Sequence, residues 1–225
     1  MNRYPNVQHP NDGKSRLGGY SHVYFDFCES AYSKHLIKLD EMAQAENEQK
    51  EEELDSDAFE HGIKTIIFAA LCVEAAINDY GAWQLGDSYF KAHLNNLDVT
   101  SKWVVVPRLV CGKQINKAGP GYGHLVSLVK ARNELIHNQS RDFKVTDPSL
   151  PKLLEKRSRE FEASVHKAYR ALLLLSLEFD QLIGPIYNPL PTFDKKVAIS
   201  YKVPPNLAEI HAECKSIAAR NRNNS

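Results

Sequence analysis

The sequence predicts an all-α fold: a bundle of four main helices with short accessory helices. Three observations carry this. Apolar residues recur at three- and four-residue steps through several long windows. The breaks between windows fall at glycine and proline, as in KAGPGYG and Gly184-Pro185. The β-branched run in SKWVVVPRLVCG contains Pro107, which a central strand would not accept. The chain has 225 residues, 43% apolar and 25% charged, enough to bury a core without disulfide or metal staples.

Residues 1–19 are rich in Asn, Pro and Gly and read as a mobile arm. A first helix starts near Ser21, with Tyr24, Phe27, Cys28, Ala31, His35, Leu39 and Met42 as its apolar stripe. It runs into AENEQKEEELDSD, which has no apolar face and reads as an exposed helix end or a loop. Asp57 and Glu60 fit a capping box, so a second helix is expected from Asp57, with Ile63, Ile66, Ile67, Ala70, Leu71 and Ile77 facing inward. Gly81 marks its expected end. A short helix is expected over Asp87 to Leu97, then a short helix and irregular connection through SKWVVVPRLVCG.

A further helix covers Tyr122 to Asn138, with Leu125, Leu128, Val129, Leu135 and Ile136 as its stripe. A long helix follows from Ser149 to Ile183, entered at Pro148 and stopped by Gly184-Pro185. A last short helix starts near Asn206, with Glu209 as capping-box partner. The domain reading is an arm (1–19), a bundle (20–184) and a C-terminal extension (185–225). No internal repeat is visible.

Twenty-eight basic and 28 acidic residues cancel, which excludes a uniformly basic nucleic-acid coat but not a local basic site. The charge is uneven. Asp40 to Glu60 holds ten acidic residues and one basic residue, Lys50. Val99 to Thr146 holds eight basic and two acidic residues and suggests a polyanion-facing surface built from Arg108, Lys113, Lys117, Lys130 and Arg141. No apolar run approaches a membrane span, and the first 20 residues lack the apolar region of a secretory signal. The four cysteines lie far apart, with no Cys-x-x-Cys pair. A cytoplasmic protein without metal or cofactor is therefore expected.

Two charged residues sit where the helical pattern predicts burial. Glu74 lies in FAALCVEAAIN, in line with Ile67, Ala70 and Ile77, with Asn78 four residues on. Arg132 lies in HLVSLVKARNELIHN, in line with Leu125, Leu128, Val129 and Ile136. An unpaired buried charge is expensive, so each requires a partner or a polar cleft. Their opposite signs predict that they meet, directly or through Asn78.

Arg132-Asn133-Glu134-Leu135-Ile136-His137 resembles the signature of HEPN domains: an Arg, a polar residue straight after it, three more residues, then His. With four to six intervening residues allowed, an Arg followed by His also occurs at Arg3 to His9, Arg16 to His22 and Arg159 to His166. Only Arg132 to His137 combines the amide of Asn133, a preceding amphipathic helix and an expected helix end. The resemblance spans roughly residues 20–183. It departs from some toxins of the family at Gln139, where they carry a tyrosine that a partner enzyme modifies.

The resemblance implies a compact helical bundle, a symmetric homodimer and metal-independent cleavage of RNA, in phage defence or with an antitoxin or regulatory protein in growth control. The residues suit that chemistry. The neighbouring 2′-hydroxyl of RNA is already held near the phosphorus as nucleophile. His137 titrates near neutral pH and fits general acid or base work. Arg132, always cationic, can stabilise charge on the phosphoryl oxygens, with Asn133 orienting the imidazole or donating to phosphate. Glu74 and Asn78 would support Arg132. Five residues separate Arg132 from His137, so either the helix loosens near Asn138 or two copies of the motif converge across a dimer. The alternative is a non-catalytic scaffold of the same type that binds a nucleotide or a protein partner. Two weaker candidates remain. Gly112 to Gly123 lacks the Lys-Ser/Thr ending of a phosphate loop, and Trp103 and Tyr122 read better as packing than as base-stacking groups.

Overall fold

A computed structural model describes residues 19–138, 140, 142, 144, 146–193 and 196–222. Most of the expected arm and Arg141 lie outside the described residues. The described chain is all-helical: α1 (Ser21–Met42), α2 (Glu48–Leu85), α3 (Asp87–His93), α4 (Val99–Cys111), α5 (Pro120–Ile136), α6 (Leu150–Ile183) and α7 (Ala208–Arg222), the last preceded by a 3-10 turn at Pro205–Leu207. The bundle is α1, α2, α5 and α6, with α3, α4 and α7 packed on it. No helix among the described residues is long and apolar enough to cross a membrane.

The core is continuous. Phe25, Ile66, Ile77, Trp103, Leu125, Leu128, Tyr169 and Leu172 to Leu175 are all fully buried. Each fully buried aliphatic side chain contributes roughly 1.5–3 kcal/mol by leaving water. The Trp103 indole N–H donates to the Val73 carbonyl at 3.1 Å, so this ring is core and not a base-stacking platform.

Several boundaries differ from expectation. α2 begins at Glu48, nine residues before Asp57, because Asn47 accepts from the Lys50 amide at 2.9 Å and caps the helix there. The acidic stretch therefore forms the first turns of α2. Gly81 does not stop α2; it lies buried inside it, where Phe90 of α3 takes the space of a side chain. The helix ends at Gly86, whose φ of 90° is the left-handed conformation glycine adopts freely. α4 is a continuous helix through Pro107, not a broken connection. A proline inside a helix costs about 3 kcal/mol; complete burial of Trp103 and Val106 offsets it here.

The expected boundary at 184/185 is not a break in packing. Leu190, Phe193, Leu207, Ile210 and Cys214 join the same core as the bundle. Asn206 is not a cap. Its side chain bonds to Ser33 on α1, accepting from the hydroxyl at 3.0 Å and donating to the carbonyl at 3.1 Å. A buried polar chain ties the extension down. Tyr169 Oη and Tyr201 Oη both donate to Glu29, the former at 2.9 Å. With the Tyr169 proton committed to Glu29, the His211 Nε2–H donates to Tyr169 Oη at 2.9 Å. Burial pushes the His211 imidazole down to about 4 and the Tyr169 phenol well above its ordinary value.

Candidate functional site

α5 starts with Pro120 in its first turn, where a missing N–H costs nothing. The free amide of Gly121 donates to the Glu178 carboxylate of α6 at 2.9 Å. Burial raises the Glu178 pKa, and that amide partly opposes the rise. Leu125, Leu128 and Ala131 bury the inner face of α5. The helix stays regular to Ile136, and His137 ends it, its N–H donating to the Asn133 carbonyl at 2.9 Å.

The motif residues are therefore set on the last turn of one helix. Arg132 is half-buried, while Asn133 and His137 are exposed. The Arg132 guanidinium donates to Asn133 Oδ1 at 2.9 Å. Asn133 and His137 line one open groove of about 590 Å³ with Val126, Val129, Lys130 and Glu134 of α5 and Thr100 of α4. Thr100 belongs to a well-capped turn. Asp98 accepts from the Ser101 amide at 2.9 Å and from the Ser101 and Thr100 hydroxyls, which lowers its carboxyl to about 2.

The expected meeting of Glu74 with Arg132 does not occur. No hydrogen bond or ion pair joins them among the described residues, and Asn78 does not bridge them. The cation beside Glu74 is Lys102 of α4, whose Nζ donates to Asn78 Oδ1 at 3.0 Å and lies 5.7 Å from the centre of the Phe90 ring. Burial of Lys102, only 3% exposed, lowers its pKa, and the charges of Glu74 and Asp98 partly restore it. Glu74 and Asn78 thus serve Lys102, not the motif. Sequence reading counted Lys102 as surface charge; its place in the Trp103 stripe of α4 is the signal for burial.

The five basic residues expected to hold a polyanion are not one patch. Lys130 shares the groove of His137 and faces Glu134 at 3.8 Å, an exposed pair worth little. Arg108 donates to the Gly112 carbonyl and Lys113 to the Leu182 carbonyl, each at 2.9 Å, so both finish helix ends. Lys113 and the exposed Lys117 lie in the α4–α5 connection, about 25 Å of helix away from His137, and Arg108 sits in the last turn of α4.

On its other side His137 borders a larger cavity of about 770 Å³, walled by α1, α2, α5 and α6. Its residues include His35, Phe59, Phe161 and Glu162, none of them singled out by sequence. His35 in an apolar stripe was the one available clue. Among the described residues no group of three or more His, Cys, Asp or Glu side chains could hold a metal ion.

Comparison of the chain with family models, with curated proteins and with solved structures gives no match.

Proposed function

We propose that the chain is a metal-independent endoribonuclease of HEPN type, acting as a homodimer in defence or growth control. One observation supports this above the rest. Arg132 lies half-buried beside the buried face of α5 and pairs with no carboxylate among the described residues. One of its donors goes to Asn133, and its other N–H groups carry no protein partner there. That free fork, with an exposed Asn133 and His137 on the same helix end, suits a phosphate.

In the proposed reaction His137 removes the proton of the 2′-hydroxyl as that oxygen attacks phosphorus. The bond from phosphorus to the 5′-oxygen breaks, and a protonated imidazole returns a proton to the leaving oxygen. The products are a 2′,3′-cyclic phosphate and a 5′-hydroxyl. Arg132 stabilises the extra charge on the phosphoryl oxygens. Because α5 stays regular to Ile136, Arg132 and His137 point about 140° apart around it. A two-fold partner is what brings one copy's guanidinium toward the other's imidazole.

The test is pure protein with labelled single-stranded RNA in excess chelator. Cyclic-phosphate ends are expected, with rates falling about 10²- to 10⁴-fold for His137→Ala and a similar loss for Arg132→Ala. Cleavage that survives His137→Ala refutes the assignment. RNA binding without cleavage, from a wild type that is monomeric in solution, favours the non-catalytic scaffold, since a lone chain leaves the two groups apart.

A further inference from the structure

The larger cavity beside His137 lies where α6 runs on past the end of α5. α6 has 34 residues and α5 only 17, about 51 Å against about 25 Å. Residues 151–160 of α6 are exposed throughout. Yet the stripe that enters the core at Val165 and Ala168 continues outward through Phe161, Arg157 and Leu154, the last 53% exposed. α5 covers the inner part of that stripe, and no described element covers the outer part.

The walls and rim say what would fit. Leu39, Phe59, Leu135 and Phe161 supply apolar surface, with the two aromatic rings 4.6 Å apart. Asp55, Glu134, Glu160 and Glu162 oppose one cation, Arg157. Glu134 and Glu160 have only long, exposed contacts to lysines of their own helices; Asp55 and Glu162 have no ion-pair partner among the described residues. The acidic start of α2 adjoins this rim. At the inner end His35 is 1% exposed. Its Nδ1–H donates to the Ala58 carbonyl at 2.8 Å, so the neutral ring carries an acceptor at Nε2, and no group among the described residues donates to it. A buried acceptor without a donor is costly. That orphan is sealed inside the wall, so the occupant is set by the acidic rim and the apolar surface: a cationic group on an apolar carrier.

We propose that this groove docks a basic amphipathic helix of a protein partner. The helix lies along α6 beyond the end of α5, with its apolar face on Phe59 and Phe161. Its lysines or arginines meet the carboxylate rim. A nucleic acid is the wrong charge for this rim, although the groove adjoins the one across Asn133, with His137 and Glu134 bordering both. The docking site does not depend on nuclease activity.

The probe is a fluorescein-labelled 18-residue peptide of leucine and lysine with one apolar and one basic face, titrated into the full chain and read by anisotropy. Saturable binding is expected, and a leucine–glutamate peptide of the same pattern should not bind. Ser158→Trp fills the groove at an exposed position without changing charge and should weaken binding at least about tenfold. The double reversal Asp55→Lys, Glu162→Lys should do the same. Glu51→Lys with Glu52→Lys, outside the groove on the same acidic segment, should change affinity less than about threefold. Far-UV circular dichroism and a thermal scan confirm that each variant folds. Equal losses from both reversals, with no effect of Ser158→Trp, overturn the proposal in favour of unspecific charge attraction. No peptide binding, together with self-association that Ser158→Trp abolishes, overturns it in favour of a second copy as occupant.

Discussion

Replacing Gly81 with alanine sets two effects of known sign against each other. Gly81 lies inside α2, where alanine is the better helix former by about 1 kcal/mol. The added methyl would lie 2.5 Å and 2.7 Å from two carbons of the Phe90 ring and 3.2 Å from Val106. Carbon contacts settle at about 3.5–4.0 Å, so the ring must retreat by about 1 Å. Phe90 is buried and Lys102 lies over its ring, so a retreat disturbs both α3 and the Lys102–Asn78 bond. Overpacking of this kind costs about 1–3 kcal/mol. The expected net is a loss of about 1 kcal/mol in urea unfolding, with an unchanged slope. In a Phe90→Ala background only the 3.2 Å approach to Val106 remains, and the same change should stabilise by up to about 1 kcal/mol. The coupling between the two sites is then up to about 2 kcal/mol. A Gly81→Ala change that stabilises the wild type, or that acts equally in both backgrounds, refutes the close-packing account.

Two further outcomes concern pH and capping. His211 has a folded pKa of about 4, below its ordinary 6.5, so its contribution to stability is present above 6.5 and is lost as pH falls toward 4. At 1.36 kcal/mol per unit the loss is about 2 kcal/mol by pH 5; urea midpoints at pH 7.5 and 5 should show it, and His211→Gln should flatten the difference. An unchanged pH slope in that variant places the titration elsewhere. Asp98→Ala should lower stability by about 1 kcal/mol through loss of the α4 cap. Because the Asp98 carboxyl is held at about 2, below its ordinary 3.8, this difference from wild type should persist at neutral pH and vanish as pH falls through 2. A constant difference at all pH values would put the effect in helix propensity instead.

The helices were legible because their stripes are local. Ser21 for α1 and Leu150 to Ile183 for α6 fall within one residue of the sequence reading. Gly81 misled because a glycine admitting a neighbour's ring looks, in sequence, like a glycine ending a helix. Asp57 misled because Asn47 caps α2 earlier, and a solvated acidic run gives no apolar stripe to follow. Pro107 misled because its local cost is met by burial of Trp103, which a linear pattern does not weigh. The motif on α5 was readable. The cavity beside it was not, since it arises from the mismatch in length between α5 and α6 and from His35 on a third helix.

The reading of Glu74 and Arg132 carries the most weight for function. Both were charges on apolar stripes, and each needed a counter-charge or a polar opening. The structure divides them. Glu74 has a buried lysine beside it, while Arg132 has an amide oxygen and otherwise unused donors. A structural role accounts for the first; the second is half-buried, bonds Asn133 at the surface and keeps its other donors open to a ligand. The regular helix then limits how Arg132 can act with His137, because no single α5 points both side chains one way. In the proposed homodimer the outer face of α5 is the candidate seam. Val126 is exposed there, one turn from Lys130 and two from Asn133, on the side that carries His137. Two copies packed through this face would cover Val126 and Val129 and set each His137 against the other chain's last turn. Charge introduced at Val126 should therefore abolish dimerisation and RNA cleavage together, whereas the same charge in the groove along α6 should spare both.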